Sequence, residues 1–179
     1  GVLLVTLILF LFLGNVRGAL VVAITIPFSL LFASILLDLN HIPANLLSLG
    51  ALDFGMIVDG AVVMVENILR HIESHVDEHR TLMQVIGDAT HEVQRPVFFA
   101  ILVIITAYLP IFTLQRVEGR LFHPMAWTVS FALLGALLFS LLIAPVLSSF
   151  LFRGQLKEMH NPVFAWMLEH YRSGLEFCL

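Results

Sequence analysis

Charge is scarce in this chain. Only 12% of its 179 residues are Asp, Glu, Lys or Arg and 59% are hydrophobic, whereas an ordinary soluble domain is roughly a quarter charged. That excludes a water-soluble globular domain and leaves an integral membrane protein. Cysteine occurs once, at Cys178, which rules out an internal disulfide and a Cys-rich metal centre. A net charge of -4 with no basic run argues against a nucleic-acid partner. The sequence opens at Gly1 inside an apolar run, with no initiator Met and no basic n-region, so it is expected to be a piece of a longer chain rather than to start with a signal peptide.

What is abundant is long apolar runs. Residues 1–13 are apolar but too short to span alone and read as a truncated transmembrane helix. Gly14 to Gly18 reads as a turn. Residues 18–37 carry no charge and form a good span, with Pro27 expected to kink it. Asp38 to Pro43 is a short polar connection, followed by an acidic transmembrane helix over 45–69. Residues 70–95 read as a polar, helical linker outside the hydrocarbon. Residues 96–115 form the next span, which Pro110 should bend or end, and Arg116 to Arg120 a loop. Residues 121–152 form a further span of about 48 Å, long enough to tilt or to begin outside the hydrocarbon. Residues 155–177 mix Phe164, Trp166 and Tyr171 with Glu169 and Arg172, the pattern of an interfacial amphipathic helix. The expected fold is all-α: a polytopic helix bundle in lipid with about four full spans, one truncated span and an interfacial helix.

Lys and Arg are unevenly distributed among the connections. One side collects Arg17, Arg70, Arg80, Arg95, Arg153, Lys157 and Arg172, the other only Arg116 and Arg120. The positive-inside bias places the first set in the cytoplasm. Trp127 and Trp166 read as interface anchors.

The acidic helix is the costly feature. Each acid at the centre of a spanning helix costs about 2.5–3.5 kcal/mol on insertion scales, so Asp53, Asp59 and Glu66 point to proton or ion handling. At about 100° per residue, Asp59 and Glu66 share a face two turns apart, while Asp53 lies about 120° round. Gly50, Gly55, Gly60 and Ala61 would let neighbouring helices approach, so the acidic face is expected to turn into a bundle. A blander reading puts Asp53 and Glu66 near the two interfaces and leaves only Asp59 deep.

The stretch NLLSLGALDFGMIVDGAVVMVEN resembles the fourth transmembrane helix of heavy-metal efflux pumps, the CzcA and CusA type, of the resistance-nodulation-cell division (RND) superfamily. FLGNVRGAL, LPIFTLQRVEGRLFHPMA, FALLGALLFSLLIAPVLSSF and HNPVFAWMLEHY are similar to other parts of the same region, from the second helix to the cytoplasmic linking helix. The resemblance implies proton-driven efflux of metal cations, with Asp59 as proton carrier and Asp53 and Glu66 as its accompanying acids. Multidrug members generally have a second Asp where this chain has Gly60. Copper and silver members often have Met where Ile57, Leu133 and Ser148 stand, although Met64 is present as a candidate thioether ligand. Export of Zn, Co, Cd or Ni is therefore favoured, with protons and the divalent metal cation as cargo and no resident cofactor. The resemblance further implies a multi-pass protein of the bacterial inner membrane, surrounded by lipid, as a homotrimer with a periplasmic adaptor and an outer-membrane channel. It also implies a cationic partner for Asp59 in a later helix outside this stretch.

Three rivals remain: a multidrug-type exporter of the same superfamily, another ion-coupled transporter or channel, and an intramembrane aspartyl protease. The last needs two carboxyls close enough to share a proton. Asp53 and Asp59 instead lie on different faces of one helix, about 9 Å apart along its axis. His41 and His123 fall in outer-side connections and are expected to be solvated. His71, His75 and His79 recur at i, i+4 and i+8 and could bind Zn²⁺ as a cytoplasmic sensor, against which stands a solvated linker face. A complete pump with all three changed to Ala is expected to confer wild-type metal tolerance. A loss of tolerance at normal expression would establish the sensor.

Overall fold

A computed structural model describes residues 15–43, 54–74 and 81–152, together with 4, 6–8 and 10. Among the described residues 93% are helical and none is in a strand. Residues 155–177, expected to form the interfacial helix, lie outside the described residues.

Helix α1 spans Val16–Leu39. It begins where Asn15, in extended backbone, accepts the Arg17 N–H on Oδ1 at 3.0 Å, satisfying one of the helix's first orphan donors. The helix therefore starts inside the stretch expected to be a turn. Pro27 sits within it, next to Phe28, whose ring packs on Phe139 with centroids 5.2 Å apart. At the far end His41 takes a positive φ of 53° and the Ile42 N–H reaches the Leu37 carbonyl at 3.0 Å. This reversal closes a helix end in the left-handed conformation.

Helix α2, Phe54–Ser74, is the acidic helix, and it runs past the expected end at Leu69. Helix α3, Leu82–Tyr108, begins at Thr81, whose N–H and hydroxyl both donate to Gln84 Oε1, at 3.1 and 2.9 Å. It passes through Pro96 without ending. Within the expected linker over 70–95, residues 70–74 and 82–95 are helical. Its start is the last turn of α2 and its second half is the first half of α3, so the change from polar to apolar at Arg95 marks an environment and not a helix boundary.

At Pro110 the α-helix gives way to a 3₁₀ turn, Leu109–Thr113. Helix α4 follows over Arg116–Leu138, so RVEGR is its first turns and not a loop. A wide π turn, Phe139–Ile143, joins α4 to helix α5, Ala144–Leu151. Among the described residues three stretches are long and apolar enough to cross a membrane: Val16–Leu39, Leu82–Thr113 and Arg116–Leu151. The expectation had four full spans. Helix α2, about 32 Å long at 1.5 Å per residue, differs because Asp59, Glu66 and Arg70 interrupt it.

Helices α2 and α3 run antiparallel, with Gly60 beside Val97 and Ile101 and Asn67 beside Ala89 and Glu92. The Arg17 guanidinium donates to the Leu151 carbonyl at 3.0 Å, tying the start of α1 to the end of α5 and satisfying a C-terminal orphan acceptor. One core cluster joins Val22, Ile26, Met64, Ile68 and Phe139, and a second joins Ala33, Ile57, Val97, Ile101 and Ala136. Small residues set the approach distances. A Cβ on Gly60 would lie 3.1 Å from Val97 Cγ1 and 3.2 Å from Ile101 Cδ1, and one on Gly135 would lie 3.0 Å from Phe32 Cβ.

Gly135→Ala is expected to cost about 1–3 kcal/mol by overpacking, because Phe32 Cβ is fixed to the α1 backbone and cannot swing aside. Gly87→Ala, on α3 with nothing within 4 Å of the added atom, should be neutral or should stabilise by up to about 1 kcal/mol through helix propensity. Thermal unfolding of both variants in detergent checks the contrast. Equal melting shifts would show that the α1–α4 contact does not limit the packing.

Candidate functional site

Helix α2 has two unlike faces. Ile57, Val58, Ala61, Met64, Val65 and Ile68 are buried against α1, α3 and the α4–α5 helix. Asp59, Val63, Glu66 and Arg70 are exposed and recur at helical spacing, giving a stripe with two acids and one base. Among the described residues the apolar side chains of this helix occupy the interior, and Asp59 and Glu66 are exposed on its other side. Asp53 lies outside the described residues.

Gly60, beside Asp59, faces inward and is buried. Its would-be Cβ meets Val97, Ile101 and the Ser140 hydroxyl, the last at 3.4 Å. A side chain here would have to push Val97 and Ile101 aside.

At the other end of α2 is a polar cluster that sequence reasoning missed. Asn67 is 6% exposed. Its amide donates to the Ala89 carbonyl at 2.9 Å and to Glu92 Oε2 at 3.1 Å, and its oxygen accepts from Arg70 Nη2 at 2.8 Å. Arg70 Nη2 is also 3.7 Å from Glu92 Oε1. The His71 ring bridges the two helices, with Nδ1 3.0 Å from the Asn67 carbonyl and Nε2 3.4 Å from Glu92 Oε2. The available signal was a polar residue at position 67 on the buried face of an amphipathic helix. Glu92 gave no signal, because it stands in a stretch where charge is common.

The other candidates are placed as follows. Met64 is fully buried in the apolar core, on the face away from the acids. His71 is the described member of its series, and His75 and His79 lie outside the described residues. His123 lies in α4, not in a loop, and is half-buried, with Nε2 shielded and without a hydrogen-bond partner. Its ring stacks near Phe112 at 5.9 Å, and Phe112 meets Trp127 edge-on at 4.9 Å. His41 is exposed in the turn after α1. Among the described residues no group of three or more His, Cys, Asp or Glu could hold a metal ion.

Apolar helices of spanning length packed round one helix with an acidic stripe define a polytopic membrane protein of the transporter class. The comparisons narrow this. The chain belongs to the AcrB/AcrD/AcrF family, matched over residues 1–179, a family of RND efflux transporters rather than enzymes. It is 49% identical to protein HelA of Legionella pneumophila, over 99% of this chain and 18% of that protein. It is 44% identical to the cobalt-zinc-cadmium resistance protein CzcA of Cupriavidus metallidurans, over 98% of this chain and 17% of that protein. A crystal structure of a heavy metal efflux pump superposes with a TM-score of 0.72 at 52% identity, covering 84% of this chain and 14% of that one. The chain thus spans under one fifth of the relatives it matches.

Met64→Leu conserves volume in a core site and is expected to cost under about 1.5 kcal/mol. In the complete pump it should leave metal tolerance at the wild-type level, measured by growth on graded zinc. A selective loss of tolerance with unchanged expression would restore Met64 as a ligand.

Proposed function

We propose that the protein containing this chain exports heavy-metal cations in exchange for protons, with divalent zinc, cobalt, cadmium or nickel as cargo. The acidic stripe of α2 carries this reading, since Asp59 and Glu66 on a helix packed among apolar spans need a functional reason. The relatives support the metal class. Proteins named for cobalt, zinc and cadmium or for nickel and cobalt resistance are 44% and 42% identical to this chain. Ile57, Leu133 and Ser148 are buried side chains that complete the packing at places where a thioether route would need Met. The tight seat of Gly60 disfavours the two-Asp arrangement of multidrug exporters.

Asp59 acts as the proton carrier and Glu66 as its companion toward the cytoplasmic end, with Asp53 toward the outer end. Burial raises a carboxyl pKa and a nearby cation lowers it. A helix from elsewhere in the complete protein, laid on the exposed stripe and carrying a Lys, would therefore let Asp59 take up and release a proton as the contact opens and closes. Protonation then shifts the populations of the two conformers, and metal moves with that shift. On this reading the complete pump sits in the bacterial inner membrane as a homotrimer joined to a periplasmic adaptor and an outer-membrane channel.

The test is metal tolerance of cells lacking their own zinc, cobalt and copper exporters and supplied with the complete pump, wild type against Asp59→Asn. The substitution keeps size and removes the titratable proton. Wild type should protect against zinc or cobalt, and the variant, equally expressed, should not protect at all. Protection by the variant would remove Asp59 as carrier. Protection by wild type against copper alone would overturn the metal class.

A further inference from the structure

An exposed ion pair such as Arg70–Glu92, with side chains 68% and 52% accessible, contributes about 0–1 kcal/mol and needs no explanation beyond the surface. Asn67 is different. It occupies a core position between Met64 and Ile68, where an amide costs roughly 2 kcal/mol or more unless its hydrogen bonds are met. A leucine would pack there without any such requirement. The hydrogen bonds are nevertheless met in full: both amide protons go to α3, one to a main-chain carbonyl, and the oxygen is taken by Arg70. Ala89, fully buried, provides the close approach that lets the amide reach the α3 backbone.

Such a contact fixes geometry more than it adds stability, as a single buried Asn does when it sets register between paired helices. Its polarity makes the register exclusive. Turning α2 by one residue, about 100°, would bring Glu66 to the place of Asn67. Its carboxylate would then face the Ala89 carbonyl and the Glu92 carboxylate, acceptors only. We propose that Asn67 is a positioning residue of the transport cycle. By locking α2 to α3 in one rotation and one axial register, it holds Asp59 and Glu66 outward and makes the two helices move as one body. This rests on the coupling role of Asp59 given above. Arg70 and His71 reinforce the lock by converging on the same Glu92 carboxylate from α2.

The test uses the complete pump in proteoliposomes with two readouts: metal-driven proton exchange, and the distance distribution between spin labels at the exposed positions Glu73 and His91. Asn67→Asp keeps the shape but replaces the amide nitrogen, which donates to the Ala89 carbonyl and to Glu92, by an acceptor oxygen. It should broaden the distance distribution and slow exchange by about ten-fold or more, the equivalent of about 1.4 kcal/mol. Asn67→Asp combined with Glu92→Gln reverses the donor and acceptor and should restore a narrow distribution and recover exchange to within about three-fold of wild type. The Ala89 carbonyl keeps its own helical donor in both variants. An unchanged distribution in Asn67→Asp, or a double variant no better than the single, overturns the proposal. A broadened and then restored distribution, in a pump whose Asp59→Asn variant still exchanges protons, would leave the lock standing and fell the coupling reading instead.

Discussion

The backbone of α2 at Gly60 lies so near Val97 and Ile101 that a single added methyl would press on both and touch Ser140. This approach dictates much of the bundle. It seats α2 against α3 and against the π turn of the α4–α5 helix, and so commits the neighbouring Ala61, Met64, Val65 and Ile68 to the interior. With that side of α2 occupied, Asp59 and Glu66 have only the opposite side left.

The lower part of α2 is held by a different kind of force. Apolar packing between smooth helices resists separation more than it resists rotation, since one Leu or Val replaces another at little cost. Asn67 adds direction. Its two donors and one acceptor have fixed partners on α3 and in Arg70, and an incorrect rotation leaves a buried amide unpaired or sets carboxylate against carboxylate. Close approach at Gly60 and hydrogen-bond polarity at Asn67, two turns apart, together define the presentation of the acidic stripe.

For the proposed transport cycle the important feature is that the stripe is exposed among the described residues while its helix is firmly seated. A carboxylate exposed on an otherwise apolar bundle is costly in lipid, so the stripe is suited to a partner helix that can neutralise it. Membership of the AcrB/AcrD/AcrF family, and the extent of the relatives beyond this chain, supply room for that helix. On the proposed reading, an interface closed by charge and opened by protonation is a two-state element that a proton gradient can drive.

Much of this was determined by the sequence alone. Apolar runs of spanning length, the scarcity of charge and the isolated acids are compositional, and a membrane environment tests composition almost directly, so fold class and the Asp59–Glu66 face were legible. Helix ends were less so. Pro96 and the polar stretch before it looked like a boundary, yet α3 runs straight through, because a proline that has lost one hydrogen bond is tolerated where neighbouring helices support the backbone. RVEGR looked like a loop because charge suggests water, but water at a helix end does not stop the helix. Only the tertiary structure decided which way the acidic face points, that Met64 belongs to the core, that His123 sits among aromatic rings, and that Asn67 and Glu92 meet across two helices. Each of these depends on what lies opposite a residue in space, and periodicity along one helix carries no information about its neighbour.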